Sequence, residues 1–356
     1  MPSVPEIFDA VVGVDTHRDT HTAEIAAVTG RVISTETFPV TSAGYTQMLD
    51  WIQMHRPGQR VLVAVEGTRS YGLGLTRALQ SAGLMVVEAE QPTRKKRRGK
   101  GKSDLIDAHY AVLTALAMDN TDRLPIPRAD GDREALRLLH NAHRDLTLGK
   151  TRQINQLKDV LRGGDDTDHQ LASRKITDKL LASLTRRRPT TGADRLASVR
   201  QQEIRRLAIA IRQAIIELKA FRKQILVLVD ALAPGLTSRP GIGPITGAQA
   251  ILSYSHPGRC RNDAAFAALA GVSVLEASSG QTVRHRLNRG GDRALNHAIH
   301  TIAVTRMRSD PRTRAYVERR TAQGKSTRDI RRCLKRYISR EIYRELNRVM
   351  TLPAAA

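Results

Sequence analysis

The spacing of apolar positions changes along the chain and divides it into three regions. In the first, short apolar runs alternate with helical spacing. FDAVVGVDTH reads as a strand carrying Asp15 near its end, and HTAEIAAVT and RVISTETFPV follow as strands separated by a Thr-Gly turn. SAGYTQMLDWIQMH has the three-and-four spacing of a helix, with Ser42 as its expected cap. RVLVAVEGT then predicts a buried strand ending at Glu66, YGLGLTRALQSAGL a helix stopped by Gly83, and MVVEAEQP a further strand.

From about Asp132 to Pro234 the period is helical throughout. Leu136, Leu139, His143, Leu146, Ile154, Leu157 and Leu161 make one stripe. Ile204, Leu207, Ile211, Ile215, Leu218, Ile225, Val229 and Leu232 make a longer one, in steps of three, four and seven. A polar segment containing GGDDTD and RRRPTTG separates them, which predicts a long antiparallel helical hairpin with a loosely structured or helical tip. Such a stripe serves as core or as a dimerisation surface.

The third region opens with RPGIGPITGAQAILSYS. Gly241 and Gly243 ahead of a helix resemble a helix-hairpin-helix element, in which the backbone comes close to a phosphate and the next helix's N-terminus receives it. The plainer alternative is a tight turn between two helices. NDAAFAALAG is helical, and a further helix is expected to begin near Gly291. The last stretch starts with a capping box, Ser326 to Asp329, and continues as a stripe of Ile330, Leu334, Ile338, Ile342, Leu346 and Val349.

Composition narrows the partners. The 356 residues include 58 Lys and Arg against 35 Asp and Glu, a net charge of +23, which self-repels unless a polyanion offsets it. Nucleic acid is therefore the leading partner. No apolar run approaches the ~20 residues of a membrane span, and no secretory leader is recognisable, so no membrane partner and a cytoplasmic location are expected. Cys260 and Cys333 are too few and too far apart for a disulfide framework or a zinc site. Aromatics at 3% argue against base stacking as the main grip.

Three hairpin-ordered strands followed by alternating strand and helix is the RNase H-like order. In that fold one carboxylate ends the first strand, another ends the fourth, and an acidic pair sits on a late helix. Asp15, Glu66, Asp104 and Asp107 fall at those places, the last two one turn apart in KSDLIDAHYAVLTAL. Hard oxygen ligands of this kind suit one or two Mg²⁺ ions beside a phosphate. Singly, each has a plainer role: a turn cap, a solvated carboxylate, or a partner of the helix dipole. The run of Arg94, Lys95, Lys96, Arg97, Arg98, Lys100 and Lys102 just before the pair favours a phosphate contact over a localisation signal or a solvated face. His17 and His21 flank Asp15 and can hydrogen-bond there, or serve structure alone. Downstream, Ser278 and Ser279 precede Gly280 in a loop rich in arginine (Arg284, Arg286, Arg289, Arg293), which suits a nucleophile with cations at the developing phosphate charge, or is ordinary loop composition. No general base is obvious nearby, although His285 is close in sequence.

Taken together, VVGVDTHRDTH, AVEGT, KSDLIDAHY, PGIGPITGAQAI and ASSGQTVRHRLNRGGDRALNHAIH resemble the DEDD transposases of bacterial insertion sequences, relatives of the Piv and MooV invertases whose better-studied members are bridge-RNA-guided recombinases. The resemblance covers about residues 8–345. It implies a RuvC-like domain over 1–125, a helical coiled-coil segment over 126–234, and a mainly α transposase domain over 235–356. It implies that Asp15, Glu66, Asp104 and Asp107 hold Mg²⁺ and that the serine before glycine, Ser279 or its neighbour Ser278, is the nucleophile. A non-coding bridge RNA, DNA ends and target, and a dimer or tetramer with a composite site are also implied. Two rival readings remain at this stage: a Holliday-junction-resolvase-like nuclease that uses water, and a non-catalytic nucleic-acid-binding protein.

Overall fold

The computed structural model describes residues 2–68, 70–89, 104–121, 124–127, 130–188, 194–276, 285–288 and 290–350, with the side chains of Asp104, 274–276 and 285–287 left out. The chain forms two compact units, Met1–Gly131 and Asp132–Ala356.

The first unit is a five-stranded sheet with helices on both faces. Its elements in chain order are α1 (Val4–Ile7), β1 (Ala10–Thr16), β2 (Thr20–Ala27), β3 (Val32–Pro39), α2 (Ser42–His55), β4 (Val61–Glu66), α3 (Leu73–Ser81), β5 (Met85–Ala89) and α4 (Asp104–Leu116). The strand order is β3-β2-β1-β4-β5. β1 pairs antiparallel with β2 and β2 with β3, while β1–β4 and β4–β5 are parallel. This agrees with the RNase H-like order expected from the sequence.

The apolar runs AVVGV and VLVAV are continuous rather than alternating because β1 and β4 are covered on both sides. Val12, Val14, Val63 and Val65 face α2 and α3, where Met48, Trp51, Leu75 and Leu79 complete one core. Val11, Leu62, Ala64 and Val87 face α4 and pack on Ala111, Val112 and Ala115. The cap of α2 is Thr41 rather than Ser42: the Thr41 hydroxyl accepts the Gly44 amide at 3.0 Å, and Ser42 is already the first helical residue.

In the second unit, α5 (Gly131–Arg162), α6 (Asp166–Ser173), α7 (Asp178–Thr185) and α8 (Arg195–Leu232) build the long helical region. Leu136, near the start of α5, shares a core with Ile225 and Val229, near the end of α8. Leu157 and Leu161, at the other end of α5, share a second core with Ile204 and Leu207. The two long helices therefore run antiparallel, and the segment between them contains two short helices, whose Leu181 and Leu184 fill the second core.

The remaining elements are α9 (Pro244–Tyr254), α10 (Asp263–Leu269), the paired strands β6 (Val274–Glu276) and β7 (His285–Leu287), α11 (Arg293–Ser309), α12 (Pro311–Ala322) and α13 (Thr327–Met350). Ile251, Phe266, Ile299, Ile302, Ile338 and Ile342 form one core with the α5–α8 base. The helix expected near Gly291 begins at Arg293 because Asp292 caps it, accepting the amides of Ala294 and Leu295 at 2.9 Å. At the last helix the Asp329 amide donates to the Ser326 hydroxyl, so the expected capping serine is in place. No helix among the described residues is long and apolar enough to cross a membrane.

Candidate active site

Three of the four carboxylates named from the sequence can be placed from the backbone upward. β1 and β4 pair through Val14 and Val65, so Asp15 and Glu66 follow at the next step of the same parallel ladder. Side chains alternate along a strand. Val11 and Asp15 therefore share one face of β1, and Leu62, Ala64 and Glu66 share the matching face of β4: the face that α4 covers.

α4 then brings its acidic end to the same place. The Val4 amide, ahead of β1, donates to the Met118 carbonyl just past α4, at 3.0 Å. In mid-strand, Gly13 lies against the backbone of Ala108 and Val112. The helix thus runs antiparallel to β1, and its N-terminal turn, with Asp104 and Asp107, lies at the end of the strand where Asp15 is. Asp15 is 5% exposed and Asp107 8%. The Thr16 hydroxyl donates to the Glu66 carbonyl at 2.8 Å and ties the ends of the two strands together.

Two residues not singled out from the sequence join this face. Glu24, on β2 opposite Gly13, is buried, and its carboxylate lies 2.7 Å from Nδ1 of His109 on α4. By alternation alone HTAEIAAVT groups Glu24 with Thr22, opposite Ala23 and Ile25, as a solvated face; the strand register and α4 show that this face is buried and is the acidic one.

The two histidines beside Asp15 separate. His17 Nε2 is 3.1 Å from Asp15 Oδ2. His21 is fully buried on the opposite face of the sheet and stacks on Tyr45 with ring centroids 6.0 Å apart. Burial holds the His21 imidazole below its usual pKa, with His17 repulsion adding to this and a backbone hydrogen bond at Thr20 opposing it. A histidine kept neutral in the fold but free to take a proton when unfolded costs stability as pH falls below its ordinary value of about 6.5. The denaturant midpoint should therefore fall between pH 7.5 and pH 5.5, above the range where carboxylates protonate. In His21→Phe that fall should be smaller; an unchanged pH slope would show that His21 does not set it.

The donor chemistry of this face fits a hard divalent ion, since Asp15, Glu66 and Asp107 offer carboxylate oxygens on one side of one sheet. Among the described residues, no three His, Cys, Asp or Glu side chains are grouped closely enough to hold a metal ion by themselves. The side chain of Asp104, the fourth of the set, is outside that description.

The nucleic-acid candidates are placed in part. Gly241 has φ +72°, and a Cβ there would lie 3.1 Å from the Ile302 carbonyl, so the turn requires glycine. Gly243 has φ −101° and is the N-cap of α9, with its amide donating to the Thr246 hydroxyl at 3.0 Å. Arg293 is exposed in the first turn of α11, and Arg286 is on β7. Arg94, Lys95, Lys96, Arg97, Arg98, Lys100, Lys102, Arg284, Arg289, Ser278 and Ser279 lie outside the described residues.

Carboxylates ending two adjacent strands and faced by an acidic helix turn are the arrangement of a DEDD-type DNA-processing enzyme. A family model described as Transposase, of the DEDD IS110 type, matches residues 12–164, and a second, Transposase IS116/IS110/IS902 family, matches residues 233–318. A protein of Streptomyces coelicolor, the insertion element IS110 uncharacterized 43.6 kDa protein, is 27% identical over 313 residues, covering 75% of this chain and 76% of its own length. The chain belongs to the IS110-type DEDD transposases of insertion sequences and is a DNA transposase.

Proposed function

We propose that this transposase excises and inserts its insertion sequence through a serine–DNA intermediate, with Mg²⁺ held by Asp15, Glu66, Asp104 and Asp107. The observation that carries this reading is the antiparallel seat of α4, which brings the acidic helix turn to the strand ends bearing Asp15 and Glu66. Bound there, Mg²⁺ would supply positive charge beside the scissile phosphate and would lower the pKa of the attacking hydroxyl's proton. The oxygen of Ser279, or of Ser278 beside it, attacks phosphorus and breaks a phosphodiester bond, and a DNA hydroxyl departs with a proton. A hydroxyl of the partner strand then displaces the serine and restores a phosphodiester. The basic run 94–102 and the arginines of the serine loop hold backbone phosphates, and Gly241 and Gly243 let a further phosphate approach α9 in the manner of a helix-hairpin-helix element.

Within this reading residues 1–125 carry the metal chemistry, 126–234 form a coiled-coil segment that assembles the chains as a dimer or tetramer, and 235–356 carry the serine. The enzyme works in the bacterial cytoplasm. A bridge RNA encoded by the element selects donor and target by base pairing, which suits a protein whose charge of +23 is directed at backbones rather than base edges. The test combines purified protein, the element's DNA ends, its flanking transcript and Mg²⁺, and looks for a covalent protein–DNA adduct on a denaturing gel. The adduct should form with wild type and disappear in Ser279→Ala. Cleavage that persists in both Ser279→Ala and Ser278→Ala without any adduct would replace the serine with water as nucleophile.

A further inference from the structure

A second concave site lies wholly within residues 132–356. α5, α8, α9 and α11 enclose a cleft of about 780 Å³, inside the range of roughly 300–1,000 Å³ for sites that take small molecules. Its basic residues are His140 and His143 on one turn of α5, Arg144 beside them, Arg222 across on α8 and His297 on α11. They act on one another: burial, then His143 and Arg144, lowers the pKa of His140, and burial, then Arg222 and Lys150, lowers that of His143. Among the described residues no carboxylate lines the cleft, and Arg222 forms no ion pair there. Arg239, which also lines it, is already offset by Glu341 and Glu345. Arg144 is likewise offset, by Asp145 at 3.4 Å, so among the described residues the charge left without an ion pair is that of Arg222 on α8. The remaining walls mix apolar side chains, Leu148, Ile245 and Ala298 among them, with threonine hydroxyls and Gln249, and Leu148 is 56% exposed.

A bare anion would leave the apolar side chains wet, and an apolar molecule would leave Arg222 and the threonine hydroxyls unmet. An occupant that meets both has an anionic group joined to a flat, largely apolar body. We propose that the cleft receives one unpaired nucleotide of a bound nucleic-acid strand, its base against the Leu148–Ile245 wall and its phosphate toward Arg222. This rests on the nucleic-acid reading above and adds to it a pocket for a base taken out of the stack. Extrusion from a bulge or single strand is the least costly source of such a base.

Three fluorescein-labelled DNA duplexes of the same length separate the cases by anisotropy with the full-length protein: fully paired, with one unpaired adenosine, and with an abasic residue at that position. The unpaired adenosine should bind more tightly than the abasic duplex by about tenfold, the order expected from burying one base. Thr301→Trp, at an exposed position on the cleft wall, should bring that ratio to about one by filling the space, and Thr301→Ser should keep it. Arg222→Gln should also reduce the ratio. Thermal unfolding of each variant separates loss of the pocket from loss of the fold. Equal affinity for adenosine and abasic bulges in wild type, or a ratio that survives Thr301→Trp, overturns the pocket while leaving the transposase reading intact. Failure of wild type to bind any of the three duplexes overturns the nucleic-acid reading of this unit and the pocket with it.

Discussion

Replacing Asp15 with Asn should reduce strand transfer of element-end DNA by roughly three orders of magnitude, about 4 kcal/mol of barrier, while leaving the fold intact. Asp15 is the most central of the four acidic positions: it ends the middle strand of the sheet, next to Glu66 on one side and beneath the acidic turn of α4 on the other. Asn has almost the same shape but no charge, so packing is retained and ion binding is not. The effect on stability should run the other way. A carboxylate 5% exposed gives up most of its water on folding, and an amide in its place gives up less. Asp15→Asn is therefore expected to unfold at the same midpoint as wild type at pH 7.5, or slightly above it. Stability given up to keep charge at a site is the signature of a functional residue. Strand transfer within tenfold of wild type would remove Asp15 from the reaction, and a lowered midpoint with proportionate loss of activity would make it structural. Isothermal titration of Mn²⁺ into the same variant, free of DNA, gives a second readout: affinity should fall even where no reaction is measured.

The acidic face was legible in the sequence because the fold uses strong local signals there. Apolar runs buried on both sides cannot be mistaken for half-exposed strands, and each ends in a carboxylate where the chain leaves the sheet. Glu24 and His109 were not legible. They are 85 positions apart and meet only because β2 takes its register against β1 and α4 crosses that face. Helix α12 was missed for another reason. Its sequence, PRTRAYVERRTA, has no apolar stripe, and its start is set by Asp310, which accepts the Thr313 amide at 3.0 Å, and by proline in the first turn. The displaced cap of α2 shows the limit of one-residue readings: Thr41 and Ser42 both suit the position, and backbone geometry decides between them. The antiparallel course of the two long helices followed from period alone. The cleft between their base and α9 did not, because its residues come from four helices and the turn before α9, whose packing no local pattern encodes.

Gly13→Val should be among the most damaging single changes in the first unit, lowering stability by about 3 kcal/mol or displacing α4. The reason is a contact between backbones. A Cβ at Gly13 would come 2.3 Å from the Ala108 carbonyl oxygen and 2.6 Å from the Val112 amide nitrogen. Neither atom can swing aside as a side-chain tip would, so either the helix lifts or the strand bends. Lifting carries Asp104 and Asp107 away from Asp15 and Glu66, and it also stretches the Glu24–His109 pair, which links β2 to the same helix. Activity should therefore fall further than the folded fraction does when measured well below the unfolding temperature. Gly149 supplies the contrast. It lies within α5 with nothing near the place of a Cβ, so Gly149→Ala should stabilise by about 0.5–1 kcal/mol through helix propensity alone. Urea unfolding of the two variants, with strand transfer measured beside it, decides the point. A Gly13→Val protein as stable and as active as wild type would mean that α4 is not held at that distance, and that the acidic turn is positioned by something other than the close fit of helix on strand.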